Sequence, residues 1–167
     1  MIKGLHHNAY RCRDSEQTRR FYEDFLGLKL VKAFEIPVTM TGRKASVLHS
    51  FYAMGDGSFL AFFEAPEQPF DFKQQHDFDL HIALEVGHEH MLEMFEKGKA
   101  QGIETRGISD HGFIQSIYFR DPNGYVIELC TPVDSKDEIS IGQQQQSARE
   151  SLNQWQIDKS STRQAST

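Results

Sequence analysis

Two cysteines, Cys12 and Cys130, are all that this chain of 167 residues contains, too few for a disulfide framework, so its stability must come from a buried core. No run approaches the roughly 18 consecutive apolar residues of a membrane span, and the N-terminus has no charged-then-apolar leader. Basic residues are also in deficit: 18 Lys and Arg against 24 Asp and Glu give a formal charge of −6. That balance leaves no basic stripe for a nucleic-acid backbone. These absences predict a cytoplasmic protein with reduced thiols, no nucleic-acid or membrane partner, and a small-molecule ligand. The 38% hydrophobic content is enough for one compact core, or for two small repeats that share one.

A repeat is visible. Gly4-Leu5-His6-His7-Asn8-Ala9-Tyr10-Arg11 leads into a capped helix, and Phe78-Asp79-Leu80-His81-Ile82-Ala83-Leu84-Glu85-Val86 does the same in the second half. In the first unit Leu5 to Cys12 reads as a strand, and Asp14-Ser15-Glu16-Gln17 resembles a capping box. A helix is expected to about Leu26, ended by Gly27. Strands follow at Leu28 to Phe34, Val47 to Met54 and Phe59 to Glu64, the last two joined by the Gly55-Asp56-Gly57 turn. The link from about Ala65 to Asp77, with Pro66 and Pro69, is the repeat boundary. In the second unit the His81 strand precedes a helix over Gly87 to Ala100. Short strands are expected at Ile103 to Arg106 and Ser116 to Arg120, then the Asp121-Pro122-Asn123-Gly124 turn and a last strand at Tyr125 to Cys130. Each unit is therefore β-α-β-β-β.

Successive strand residues point to opposite faces. Ile82, Leu84 and Val86 point one way, towards the helices, so His81, Ala83 and Glu85 point the other. His7, Ala9 and Arg11 form the matching set, and Glu128 shares its face with Val126 and Cys130. A lone carboxylate with two imidazoles on inward faces is costly unless solvated, paired or bound to a cation. His7, His81 and Glu128 thus make up the ligand set of a 2-His-1-carboxylate metal site with open coordination positions. His6, of opposite parity, is expected to pack towards the helix, and Cys130 is read as a small buried thiol.

On Leu5-His6-His7, the Arg20-Phe21-Tyr22 to Leu26-Gly27-Leu28 helix end, Asp79-Leu80-His81-Ile82-Ala83 and Ser116-Ile117-Tyr118-Phe119-Arg120-Asp121-Pro122-Asn123-Gly124 leading to Glu128, the chain resembles the vicinal oxygen chelate superfamily. That superfamily includes glyoxalase I, extradiol dioxygenases, fosfomycin-resistance thiol transferases and the metal-free bleomycin-resistance proteins. The resemblance covers roughly residues 1–132. It implies an α+β fold of paired βαβββ modules, about 1–66 and 78–132, forming a curved, partly open mixed sheet around one metal site. The family's metal ligands fall on His7, His81 and Glu128.

Glyoxalase-like members carry a fourth ligand on the last strand of the first module. Aligning the two modules on Pro66 and Pro132 puts Phe62 opposite Glu128, with Glu64 two residues on along the same face. Three protein ligands suit Fe(II) or Mn(II) oxygenase chemistry, with Zn or Ni as the metals of a lyase reading. In extradiol dioxygenases a Tyr lies ten residues before the ligand Glu and a His precedes it on a loop; here these are Tyr118 and His111, the expected catalytic residues. A glyoxalase I-type lyase and a metal-free binding protein are the alternatives. His49 is a pocket candidate, His88 and His90 are expected to be solvated, and Phe51, Phe59, Phe62 and Phe63 admit an aromatic or apolar substrate. The polar tail, 133–167, holds a helix at about 146–157 with Ala148, Leu152 and Trp155 at helical spacing. That helix either caps the pocket or supports a homodimer interface, and the last ten or so residues are expected to lack structure.

Overall fold

In the computed structural model, which describes residues 1–38, 41–42, 44–74, 76–133 and 141–164, strand β1 (His7–Cys12) hands over to helix α1 (Ser15–Arg19) at Asp14. The Asp14 carboxylate accepts from Gln17 N at 2.7 Å, as the capping box requires. The helix continues as a π-helical segment, Arg20–Phe25, which the sequence does not announce, and Gly27 ends it at φ +85°. Then come β2 (Lys29–Val38), β3 (Lys44–Ala53) and β4 (Phe59–Glu64). The second module is β5 (Ile82–Glu85), α2 (His88–Ala100), β6 (Thr105–Asp110), β7 (Ile114–Arg120) and β8 (Val126–Pro132).

These strands form two four-stranded mixed sheets, ordered β1-β4-β3-β2 and β5-β8-β7-β6. The pairs β1/β4 and β5/β8 are parallel and the others antiparallel. The α+β reading of two βαβββ modules therefore holds. Several boundaries differ from expectation. β2 runs on through Pro37 because it is an edge strand, where a missing N–H costs no ladder bond. β5 is shorter than the expected Phe78 to Val86: residues 77–79 form a turn, closed by Asp79 N to His76 O at 2.9 Å, and His81 falls just before the strand.

The helix-side faces of both sheets share one core. Phe25 meets Phe119 edge-on at 5.1 Å, Tyr10 lies 5.2 Å from Tyr125, and Tyr22, Tyr52 and Phe62 are fully buried with them. The Asp121–Gly124 turn fastens the modules together. Its Asn123 Oδ1 accepts from Arg13 N at 2.9 Å, and Asp121 Oδ2 accepts from the Tyr22 hydroxyl at 3.0 Å. Asp121 also accepts from Asn123 N, Asn123 Nδ2 and Tyr125 N. Burial raises its pKa while these donors pull it down. A Cβ at Gly124, where φ is +95°, would collide with the Lys73 backbone, because the inter-module link runs directly over this turn.

The chain divides into Met1–Val133 and Asp134–Thr167. In the second unit α3 spans Ile141–Gln164, longer than the expected 146–157. Helix therefore occupies most of the stretch expected to be unstructured; residues 165–167 lie outside the described ones. Leu152 and Trp155 are exposed. No helix among the described residues is long and apolar enough to cross a membrane.

Replacing Asn123 with Ala orphans Arg13 N and removes the bond from Nδ2 to Thr18 Oγ1. Urea denaturation of Asn123→Ala is expected to register a loss of about 1–3 kcal/mol; an unchanged midpoint would mean that the turn does not hold the modules together.

Candidate metal centre

β5 and β8 bring together the second-module half of the expected site. Ala83 is the register partner of Glu128, and Glu128 is that of Tyr118 on β7. Glu128 is 4% exposed, and His81 Nε2 lies 3.1 Å from its Oε2. On the far side of the ring His81 Nδ1 sits 2.7 Å from Asp77 O. A carbonyl only accepts, so Nδ1 carries a proton, and Nε2 faces the carboxylate either as a second N–H or as a lone pair. Two acceptors at that separation need a cation or a further proton between them. An imidazole with one nitrogen tied to the backbone and the other beside a carboxylate is an arrangement that metal-binding histidines also use.

Tyr118 and His111 extend this half. The Tyr118 hydroxyl donates to Glu128 Oε1 at 3.4 Å, and His111 Nε2 lies 3.0 Å from the same hydroxyl. With the phenol proton on the Glu128 side, His111 donates to the phenol oxygen. Burial, then the charge of Glu128, pushes the Tyr118 pKa up, so the phenol stays a donor. His111 stands in the turn between β6 and β7, held by its N–H to Ile114 O at 2.9 Å. Arg106 lies over the Tyr118 ring at 5.2 Å and forks onto Asp77 at 2.8 and 2.9 Å, which holds the Asp77 pKa down.

His7 stands elsewhere. It is exposed on β1, its Nδ1 2.7 Å from His6 Nδ1, with its ring 5.5 Å from Phe51 and 6.4 Å from His49. His6 precedes the strand and meets His7, so the expectation that it packs towards the helix is corrected: strand alternation does not govern a residue outside the ladder. Among the described residues no three His, Cys, Asp or Glu side chains converge as a metal-binding group. Within one chain, then, the triad is split into His7 on one sheet and His81 with Glu128 on the other.

The strand registers also correct the fourth-ligand position. Ala9 pairs with Ala61 as Ala83 pairs with Glu128, so the counterpart of Glu128 is Ala61, while Phe62 points into the core. The proline alignment slips by one residue because β8 runs through Pro132, whereas β4 stops at Glu64, before Pro66. Glu64 accepts from Ser15 N at 2.7 Å, at the start of α1. Cys130 shares the Glu128 face, half-buried, with its thiol 3.7 Å from Leu84 O; burial raises its pKa. His88 and His90 are exposed, as expected. A cavity of about 790 Å³ lies on the helix side between the modules, lined by Leu26, Leu60, Ile82, Leu84 and Leu129 among others, and none of the triad lines it.

Comparison with known proteins agrees with this architecture. Residues 4–129 match the family model of the Glyoxalase/Bleomycin resistance protein/Dioxygenase superfamily, and the chain belongs to that superfamily. Among solved structures it is similar to a glyoxalase/dioxygenase from Nostoc punctiforme, 23% identical over 79% of this chain and 92% of that one, with a TM-score of 0.62. A glyoxalase family protein from Enterococcus faecalis is 24% identical over 77% and 98%, TM-score 0.58. The fosfomycin resistance protein FosX from Listeria monocytogenes, solved with Mn(II) and sulfate, is 22% identical over 80% and 96%, TM-score 0.59. At these identities the likeness is one of fold. Members of the superfamily include metal-dependent enzymes acting on small molecules.

Glu64 as a helix-terminal acceptor and Glu64 as a metal ligand make different demands on one variant. Glu64→Ala is expected to cost about 1 kcal/mol in thermal or urea unfolding and to leave bound metal, measured by elemental analysis, unchanged.

Proposed function

We propose that the chain is a divalent-metal-dependent enzyme of the oxygenase type, acting on a small substrate that chelates the metal through two adjacent oxygens, with each centre built from two copies of the chain. The observation that carries this reading is His81 Nε2 placed 3.1 Å from the buried Glu128 carboxylate while its Nδ1 is held by Asp77 O. His7, tied through Nδ1 to His6, has its Nε2 free to be the third ligand. Fe(II) and Mn(II) suit two imidazoles and one carboxylate best, with Zn and Ni as rivals. Mn(II) accompanies FosX in its solved complexes, in one of them with a dihydroxypropylphosphonic acid, itself a vicinal diol.

The bound metal would supply Lewis acidity and open positions for substrate oxygens and dioxygen. The chain's own groups do the rest. Glu128 and His81 fix the position of the charge; Tyr118 holds a proton at its hydroxyl, beside the carboxylate. His111, exposed and in hydrogen-bond reach of that hydroxyl, passes protons between Tyr118 and solvent. A glyoxalase I-type lyase requires a fourth ligand, an acid or amide, and the counterpart position holds Ala61, which favours the oxygenase reading.

A second copy is invoked because one chain keeps the half-sites apart. β1 and β5 are edge strands, and an edge offers unpaired N–H and C=O groups to another chain. A two-fold dimer would bring the His7 face of each copy against the His81–Glu128 face of the other, giving two identical centres.

Elemental analysis should find close to one Fe or Mn per chain, lost in His7→Ala, His81→Ala and Glu128→Ala. Mixing the His7→Ala and Glu128→Ala proteins under subunit exchange should then restore metal to the heterodimer, because one of its two centres draws only on intact residues. An absence of recovery despite verified exchange would place the centre within one chain. No metal in the wild type would end the enzyme reading and leave His81 and Glu128 as an ion pair. Oxygen uptake on a catechol, abolished with the metal, is the expected activity.

A further inference from the structure

A buried imidazole on the His7 face takes no part in the proposed metal chemistry. His49, on β3, is 6% exposed. Its ring stacks on Phe63 at 3.7 Å with 13° between the planes, and lies 4.3 Å from Phe51 and 5.5 Å from Phe34. His49 Nδ1 is 3.0 Å from Phe62 O on the neighbouring strand, so Nδ1 carries a hydrogen, and in the tautomer with that single hydrogen Nε2 is an acceptor. That nitrogen has no hydrogen-bond partner among the described residues. Nor is it sealed: the fully enclosed side-chain polar atoms without partners are the hydroxyls of Ser50 and Ser116. An imidazole nitrogen without a protein partner thus lies within a cluster of aromatic rings.

The two modules differ here in a consistent way. By register, Phe51, His49 and Phe63 on the first sheet correspond to Tyr118, Ser116 and Cys130 on the second. One wall is aromatic and carries the imidazoles of His7 and His49; the other carries the acid, the phenol and His111. Lys32 closes the rim of the aromatic wall, its ammonium 5.1 Å from the Phe34 ring and 6.0 Å from Phe51. Aromatic surfaces favour flat π systems, and a buried acceptor left unpaired is costly unless the ligand brings a donor.

We propose that His49 is a specificity-determining residue whose Nε2 accepts a hydrogen bond from a planar aromatic ligand lying on the Phe51 and Phe63 wall, so that a ring bearing an O–H or N–H donor is preferred to one without. The inference deepens the proposed function and rests on this wall facing the substrate. His49→Asn is the informative variant: its amide N–H can still reach Phe62 O, while nothing accepts at the position of Nε2.

The test is fluorescence titration of the full chain, supplied with Mn(II), with 2-naphthol and 2-methoxynaphthalene, two flat probes differing in the donor. His49→Asn should weaken 2-naphthol about tenfold, the equivalent of one hydrogen bond, and leave 2-methoxynaphthalene unchanged; Phe63→Leu should weaken both. Equal effects of His49→Asn on the two probes, no effect on 2-naphthol, or no binding of either probe to the wild type would overturn the proposal. Circular dichroism checks that the variant folds. If it does not, nitrogen NMR of the wild type replaces it: the His49 Nε2 resonance should be that of an unprotonated nitrogen and should move on adding 2-naphthol, and a protonated or unmoved Nε2 overturns the proposal. Neither probe chelates a metal, so this result is independent of the metal analysis that tests the enzyme reading.

Discussion

The arrangement of the first 133 residues depends on burying the helix-side faces of both sheets in one core. Tyr22, Phe25, Tyr52 and Phe62 of one module meet Ile117, Phe119 and Ile127 of the other, and the Asp121–Asn123 turn joins them by hydrogen bonds. Because strand side chains alternate, filling this shared interior commits the alternate residues to the opposite faces. Those faces carry His7, His49, Tyr118 and Glu128, and the segment before β5 sets His81 beside Glu128. The same packing that stabilises the chain therefore holds its two candidate half-sites on separate surfaces.

Polar chemistry on those surfaces is ordered by backbone bonds. Asp77 O fixes one nitrogen of His81, Phe62 O one nitrogen of His49, and Ile114 O the backbone of His111. Each bond decides which atom of its residue is left to act. Glu128, nearly buried, then meets the His81 imidazole and a phenol, surroundings that suit a cation-binding carboxylate in the proposed reading.

Much of this was legible in the sequence. The repeat gave two β-α-β-β-β modules, the capping box at Asp14 gave the start of α1, and the alternation of Ile82, Leu84 and Val86 assigned the faces. The residues that misled lie where local pattern yields to context. Phe62 was matched to Glu128 by counting from prolines, but β4 and β8 end differently relative to them. His6 was given a strand parity although it precedes the strand. Phe78 to His81 looked extended, yet the turn at residues 77–79 breaks the strand and lets Asp77 bind His81. The π-helical segment and the role of Asn123 as a link between modules have no local signature.

Sequence alone determined the family, the modules and the candidate site residues, because hydrophobic alternation, capping residues and turn chemistry are local properties of the chain. The tertiary structure decided how those residues are distributed: His81 with Glu128, Tyr118 with His111, His49 with the phenylalanines, and His7 apart from the acid. Distances between residues remote in sequence depend on which faces are buried against each other. That choice is made by the packing of the whole core and not by any segment within it.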